Sequence, residues 1–236
     1  EACLPHMAFH LNPRGPEIPL DVLRKTRLVE LPDGPDILSR MAAMKEKVPG
    51  LVVSARVQLD SKGVGRAVEL AKSGVEVIHV LGDFNGNEIG VTSPRFIKDL
   101  IRKIHTTLIQ EGIRDEVTLI AGSGMALPEH MAKALLCGAD VVSTYLPLLI
   151  ALECRVCGTC KPGVQCPAKL EEMDDHYGVG RIRNLIAAWH LQLIELMGAM
   201  GMREARRLRG DVGRAMFFEE LEEEIFGTLF GSRKRA

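Results

Sequence analysis

The feature that most constrains this chain is an alternation repeated along its middle. A short β-branched run is followed by a turn, an amphipathic stretch, and then another run. The runs fall at 27–31 (RLVEL), 51–57 (LVVSARV), 75–80 (VEVIHV), 117–121 (VTLIA) and 139–143 (ADVVS, read as a short buried strand). Between them, 36–47 carries Ile37, Leu38, Met41 and Met44 at helical spacing, and 64–73 ends at Gly74. A long helix is predicted over 93–110, with Ser93 as its cap and Pro94 in its first turn, and another over 128–137, ended by Gly138. Strands alternating with helices at this spacing pair in parallel, with the helices outside. The expected fold class is therefore α/β. In such folds ligands gather at the carboxyl ends of the strands.

Four segments follow: an arm at 1–25, broken by Pro5, Pro13, Pro16 and Pro19; the α/β unit at 26–150; a cysteine-bearing loop at 151–176; and a helical region at 177–236. The last region has helical patterns over 179–202 and 211–226, and its acidic run at 219–224 reads as a solvated face. Basic and acidic residues nearly cancel, 30 against 31, and aromatics are 4% of the chain. A polycationic field for nucleic acid and a base-stacking platform are thus excluded. No apolar run reaches the roughly 18 residues of a membrane span. The first residues lack the basic start and apolar stretch of a signal peptide, and a reducing, cytoplasmic location is expected.

Cys154, Cys157, Cys160 and Cys166 are spaced C-x2-C-x2-C-x5-C. Thiols two residues apart in a tight loop can face one centre. Gly158 and Gly163 let the backbone turn N–H groups toward the sulfurs. This spacing is close to that of bacterial ferredoxins and favours an iron–sulfur cluster. Zinc, which more often takes two separated pairs, is the competing metal.

The strand tips are rich in glycine and small polar groups. Gly122-Ser123-Gly124 lies between a strand and a helix, where backbone N–H groups can cradle a phosphate, and Thr144 ends the next strand. The alternative is a turn that uses glycine for its conformation alone. A phosphate-bearing cofactor here would lie close to the cysteines, an arrangement that suits a flavin exchanging electrons with iron–sulfur. One phosphate turn, with no G-x-G-x-x-G fingerprint opening a βαβ unit, points to FMN and not FAD. His79, within a strand, reads as a core residue, and His105 on the long helix as structural.

In order along the chain, several stretches resemble the flavin-binding synthase domain of glutamate synthase. They are 49–57 (PGLVVSARV), Gly63-Val64-Gly65, 104–108 (IHTTL), 111–114 (EGIR), 121–124 (AGSG), 137–140 (CGAD) and the cysteine loop. The resemblance covers about residues 26–205. It implies a (β/α)8 TIM-type barrel carrying FMN, of which about the last five β/α units are present here. It places Arg56 near the flavin and Gly122, Ser123, Gly124 and Thr144 around its phosphate. The family's cluster has three cysteines and three irons. The four cysteines here favour [4Fe–4S], with [3Fe–4S] as the alternative. The family's glycine-rich loop is changed at 81–90 (LGDFNGNEIG).

The function implied is a glutamate-synthase-like oxidoreductase subunit passing electrons between FMN and the cluster. It would work within a larger redox complex, beside other redox subunits or the remaining part of the barrel. The strand at 28–31 is expected to have an outer edge with no partner in this chain. The alternative is a flavin-less structural or electron-wire subunit, which the altered loop favours.

Overall fold

In this computed structural model, residues 7–11, 18–158, 160–161 and 163–212 are described. Six parallel strands lie side by side in sequence order: β1 (Ala8–His10), β2 (Leu28–Pro32), β3 (Val52–Gln58), β4 (Val77–Leu81), β5 (Thr118–Gly122) and β6 (Val141–Ser143). Helices α1 (Leu20–Lys25), α2 (Ile37–Lys47), α3 (Gly63–Lys72), α4 (Ile97–Gln110) and α5 (Pro128–Cys137) connect them. This is the α/β partial barrel expected, with one strand more than the sequence pattern shows.

The pleat sorts the strands into two faces. Val29, Leu31, Val53, Ala55, Val57, Ile78, Val80, Leu119 and Ala121 point one way. They bury themselves against Ile37, Met41, Leu70, Leu100, Ile104 and Leu108 of the helices in one continuous core. The register leaves the alternate residues on the inner face: His10 pairs with Glu30, Arg56 with His79, and Gly122 with Ser143.

Three expectations are corrected. The proline-broken arm contains β1 and α1. Strand β1 pairs with β2 from Ala8↔Leu28 to His10↔Glu30, so the outer edge of β2 does have a partner in this chain. Three residues are too few to show periodicity, and the edge of β2 supplies the hydrogen bonds that make them a strand. The long helix starts at Ile97 and not near Ser93. Phe96 is extended and bridges Asn87, while the Glu88 N–H donates to the Arg95 carbonyl and the Arg95 guanidinium grips the buried Glu88 carboxylate at 2.6 and 2.9 Å. These bonds within the β4–α4 loop outweigh the local Ser-Pro start signal. Finally, β6 is a half-exposed edge strand, not a buried one.

Beyond β6, a short helix, α6 (Leu146–Ala151), leads to the cysteine loop, and α7 (Asp175–Ala199) returns. Asp174 caps α7 by accepting from the Tyr177 N–H. Leu136 of α5 meets Met197 and Leu208 in a second, small core. No helix among the described residues is long and apolar enough to cross a membrane. The helix expected over 211–226 falls almost wholly outside the described residues.

One buried polar node ties these parts together. Arg114 donates to His105 Nδ1, to the carbonyls of Val117 and Gly138, and to Asp140. Asp140 also accepts from the Leu119 N–H and from Arg209. Burial and the Arg114 and Arg209 charges hold His105 below its ordinary value, which suits the neutral acceptor drawn here. His105 is thus structural, as expected. Burial alone would raise the Asp140 carboxyl. The bonds from Leu119, Arg114 and Arg209 outweigh it and lower it. Its contribution to stability is therefore complete above the unfolded value of 3.8 and is lost as pH falls below it. Arg114→Met leaves Asp140, His105 and two carbonyls without their donor. It should cost about 3 kcal/mol in urea unfolding at neutral pH, and the difference from the parent should shrink below about pH 4 as Asp140 protonates.

Candidate functional site

At the carboxyl ends of β3 to β6 is a cavity of about 370 Å³. Arg56 and Gln58 line it from β3, His79 and Leu81 from β4, and Ser143 from β6. The turns after β4 and β5 add Asp83, Phe84 and Ser123, and Tyr145 closes one side. Phe84 and Tyr145 meet edge-to-face, their centroids 6.1 Å apart, and both stay exposed.

The floor is a row of polar side chains on the inner face. Glu30 takes a 2.5 Å hydrogen bond from His79 Nδ1. It also stands 3.4 Å from His10 Nδ1 and 3.8 Å from the Arg56 guanidinium. Burial would push the Glu30 carboxyl up, but the His79 bond and the nearby Arg56 charge lower it overall. Burial and Arg56 push His10 down. Glu30 is thus an ionised acceptor at neutral pH. Its bond to His79 Nδ1 sets the tautomer: with the ring proton at Nδ1, Nε2 is the nitrogen left to accept.

That Nε2 is buried without a hydrogen-bond partner, as is Ser54 Oγ on the same face. An orphaned buried acceptor costs about 1–3 kcal/mol. A Cβ at Gly122 would stand 3.0 Å from Nε2 and 2.6 Å from the Leu81 Cδ2 methyl. Glycine at 122 thus lets the Leu81 and His79 side chains pack directly against the β5 backbone.

The turn after β5 is where a phosphate site is expected. Ser123 and Gly124 both have positive φ, 81° and 68°. The Ser123 hydroxyl donates to the Gly82 carbonyl at 3.0 Å, and the Thr144 hydroxyl to the Met125 carbonyl at 2.9 Å. A Cβ at Gly124 would lie 2.8 Å from Gly86 Cα and 2.9 Å from the Asn85 carbonyl. The altered 81–90 segment is thus a tight turn packed onto Gly124. Its shape is held by the Asp83 carboxylate, which accepts from the Asn85 and Asn87 N–H groups.

Cys154, Cys157, Cys160 and Cys166 line a second hollow of about 360 Å³, with Arg155, Lys161 and Gln165 on its walls. Glu153, Val156, Gly158 and Gly163 have positive φ, and these kinks wind the loop around the hollow. The Val156 N–H points at Cys154 Sγ, 3.4 Å away. Among the described residues no set of three or more His, Cys, Asp or Glu side chains converges tightly enough for a single metal ion.

A family model described as a conserved region in glutamate synthase matches residues 33–203. The chain belongs to the glutamate synthase family. Archaeal glutamate synthase (NADPH) of Methanocaldococcus jannaschii is 32% identical over 178 residues, 68% of this chain and 34% of that protein. Its counterpart in Archaeoglobus fulgidus is 25% identical over 192 residues, 74% of this chain and 37% of that protein. The chain thus spans little more than a third of these relatives' length. In fold it is similar to a flavocytochrome b2 variant with benzoylformate, with a TM-score of 0.57 and 14% identity over 85% of this chain and 52% of that one. The flavin-binding domain of the baker's yeast protein gives a TM-score of 0.53 at 12% identity, covering 87% and 55%.

Within this glutamate synthase segment, the structure brings Arg56, Ser123 and the Gly122 corner to one cavity and the four cysteines to another. Gly124 faces the 81–90 turn, and Thr144 closes onto Met125. His79 is buried, as expected of a core residue, and the polar row it forms with Glu30 is not among the expectations. The signal available was polarity at period two: Glu30 in RLVEL, Arg56 in LVVSARV and His79 in VEVIHV interrupt apolar runs and share a face. Gly124→Val forces a β-branched residue into a left-handed φ and against the Gly86 backbone. It should lower stability by about 2 kcal/mol or more in thermal or urea unfolding, with or without added flavin.

Proposed function

We propose that this chain is the flavin- and cluster-bearing segment of a glutamate-synthase-like oxidoreductase, with FMN over the strand tips and a [4Fe–4S] cluster in the cysteine hollow. The observation that carries this reading is the adjacency of the two hollows. Ser143 and Tyr145 line one and Cys154 the other, and only eight residues intervene, the six of α6, about 9 Å of helix, with Leu152 and Glu153.

FMN, when bound, supplies the exchange of a hydride for single electrons. The chain's own residues bind and tune. Arg56 presents positive charge at the inner face, which favours an anionic, reduced ring. Phe84 and Tyr145 screen the mouth from water. The turn at Gly122-Ser123-Gly124 offers backbone N–H groups at the start of the path to α5. In the second hollow, thiolates of Cys154, Cys157, Cys160 and Cys166 would hold the cluster, with the Val156 N–H placed to tune the Cys154 sulfur.

Strands β1 and β6 end the sheet. An eight-stranded barrel needs two more strands to abolish these edges. These belong to further residues of a longer protein or to another redox subunit.

One observation favours the flavin-less electron-wire reading: the Asn85-Gly86 backbone already fills the space beside Gly124. The visible absorption of the purified protein decides between the two. Flavin bands that survive gel filtration support the first reading, and iron without flavin, even after incubation with FMN, supports the second. Anaerobic assay should give about four iron and four sulfide per chain, whereas zinc would refute the cluster assignment. Cys166→Ala should leave a three-iron or labile cluster.

A further inference from the structure

The mechanism above gives no task to His79 or Glu30, yet they form the most heavily constrained polar pair on the inner face. Both are largely buried, and their 2.5 Å bond links two strands that are not neighbours, β2 and β4. The bond also fixes the ring: ionised Glu30 takes Nδ1–H, so the neutral imidazole offers Nε2 only as an acceptor. That acceptor has no hydrogen-bond partner among the described residues. Its register neighbour across β3–β4 is Arg56, whose guanidinium is only a donor and lines the same cavity.

A fixed donor beside a fixed acceptor is the complement of a cyclic imide edge, in which a carbonyl oxygen stands next to an N–H. The pyrimidinedione ring of a flavin carries such an edge. So does uracil.

We propose that His79 Nε2 accepts the imide N3–H of the flavin while Arg56 donates to the adjoining carbonyl, with Glu30 as the positioning residue that holds the ring proton at Nδ1. The proposal rests on the flavin reading above and deepens it. Gly122 is then required as glycine because any side chain there would stand between Nε2 and the ring. The Leu81 isobutyl group, whose methyl occupies the same corner, would have to turn to another rotamer to admit the ligand.

The test uses the full-length protein, freed of flavin and reloaded, with affinities read from quenching of flavin fluorescence. FMN is compared with 3-methyl-FMN, which lacks the N3–H. The parent should bind FMN about tenfold or more tightly than the methylated analogue. In His79→Asn the side-chain amide can still donate to Glu30, but the distal acceptor is gone, and discrimination should fall to about twofold or less. Glu30→Gln, which loosens the tautomer, should fall between the two. It serves as the second variant if His79→Asn fails to fold. In histidine-labelled protein without flavin, nitrogen NMR should show the neutral His79 ring protonated at Nδ1.

Equal discrimination in the parent and His79→Asn, or a neutral ring protonated at Nε2, overturns the proposal and leaves the flavin reading standing. Uridine monophosphate binding more tightly than FMN overturns it in favour of a uracil-type ligand. No binding of FMN at all overturns both readings together.

Discussion

A parallel sheet with helices packed on one side must present two chemically different faces, and the pleat assigns residues to them alternately. The rest of this structure depends on that constraint. Val29, Leu31, Val53, Ala55, Ile78, Val80, Leu119 and Ala121 carry the hydrophobic driving force by burying themselves under the helices. Glu30, Ser54, Arg56 and His79 are left facing inward, where water is scarce and each polar group needs a partner. Glu30 is satisfied by His79 and Arg56. Ser54 Oγ and His79 Nε2 are not satisfied. A register slip of one residue would exchange the two faces and destroy both the core and the polar row.

The two ends of the sheet differ in how they are held. The Arg114–Asp140–Arg209 node lies under the amino ends of β5 and β6 and is fully paired, so it reads as a fastening. The carboxyl ends are held by turns whose backbones nearly touch: Gly86 lies against Gly124, and Gly82 lies against Asn87. Such contacts need glycine on sterics alone. A glycine-rich tip is therefore ambiguous in a sequence, because glycine that admits a phosphate and glycine that admits another backbone look the same. Gly122 belongs to neither class, since the space beside it is taken by the side chains of Leu81 and His79.

The cysteine loop depends less on the rest of the fold. Its four thiols share one hollow because left-handed kinks at Glu153, Val156, Gly158 and Gly163 repeatedly turn the chain inward. Two of these positions are not glycine, and a resident group that rewards the strained shape would account for them. The Tyr177 hydroxyl, donating to Glu153 at 2.6 Å, and Arg181 Nε, donating to the Ala151 carbonyl at 2.8 Å, tie the loop's entrance to α7.

By itself the sequence determined the fold class, the order of the middle strands and helices, and the grouping of the four cysteines. Each of these is written in local periodicity or spacing, which adjacent residues decide among themselves. Helix α5 is a clear case: its bounds at Pro128 and Cys137 follow from a proline start and the Gly138 stop. Only the tertiary structure decided the rest. Strand β1 exists because β2 offers an edge. Helix α4 starts late because Glu88 and Arg95 hold the segment before it extended. His79 is more than core filling in its bonding, because Glu30, 49 positions away in the chain, takes one of its nitrogens and leaves the other without a hydrogen bond among the described residues. Local pattern cannot express these, because each depends on a bond between residues that are neighbours only after the sheet has formed.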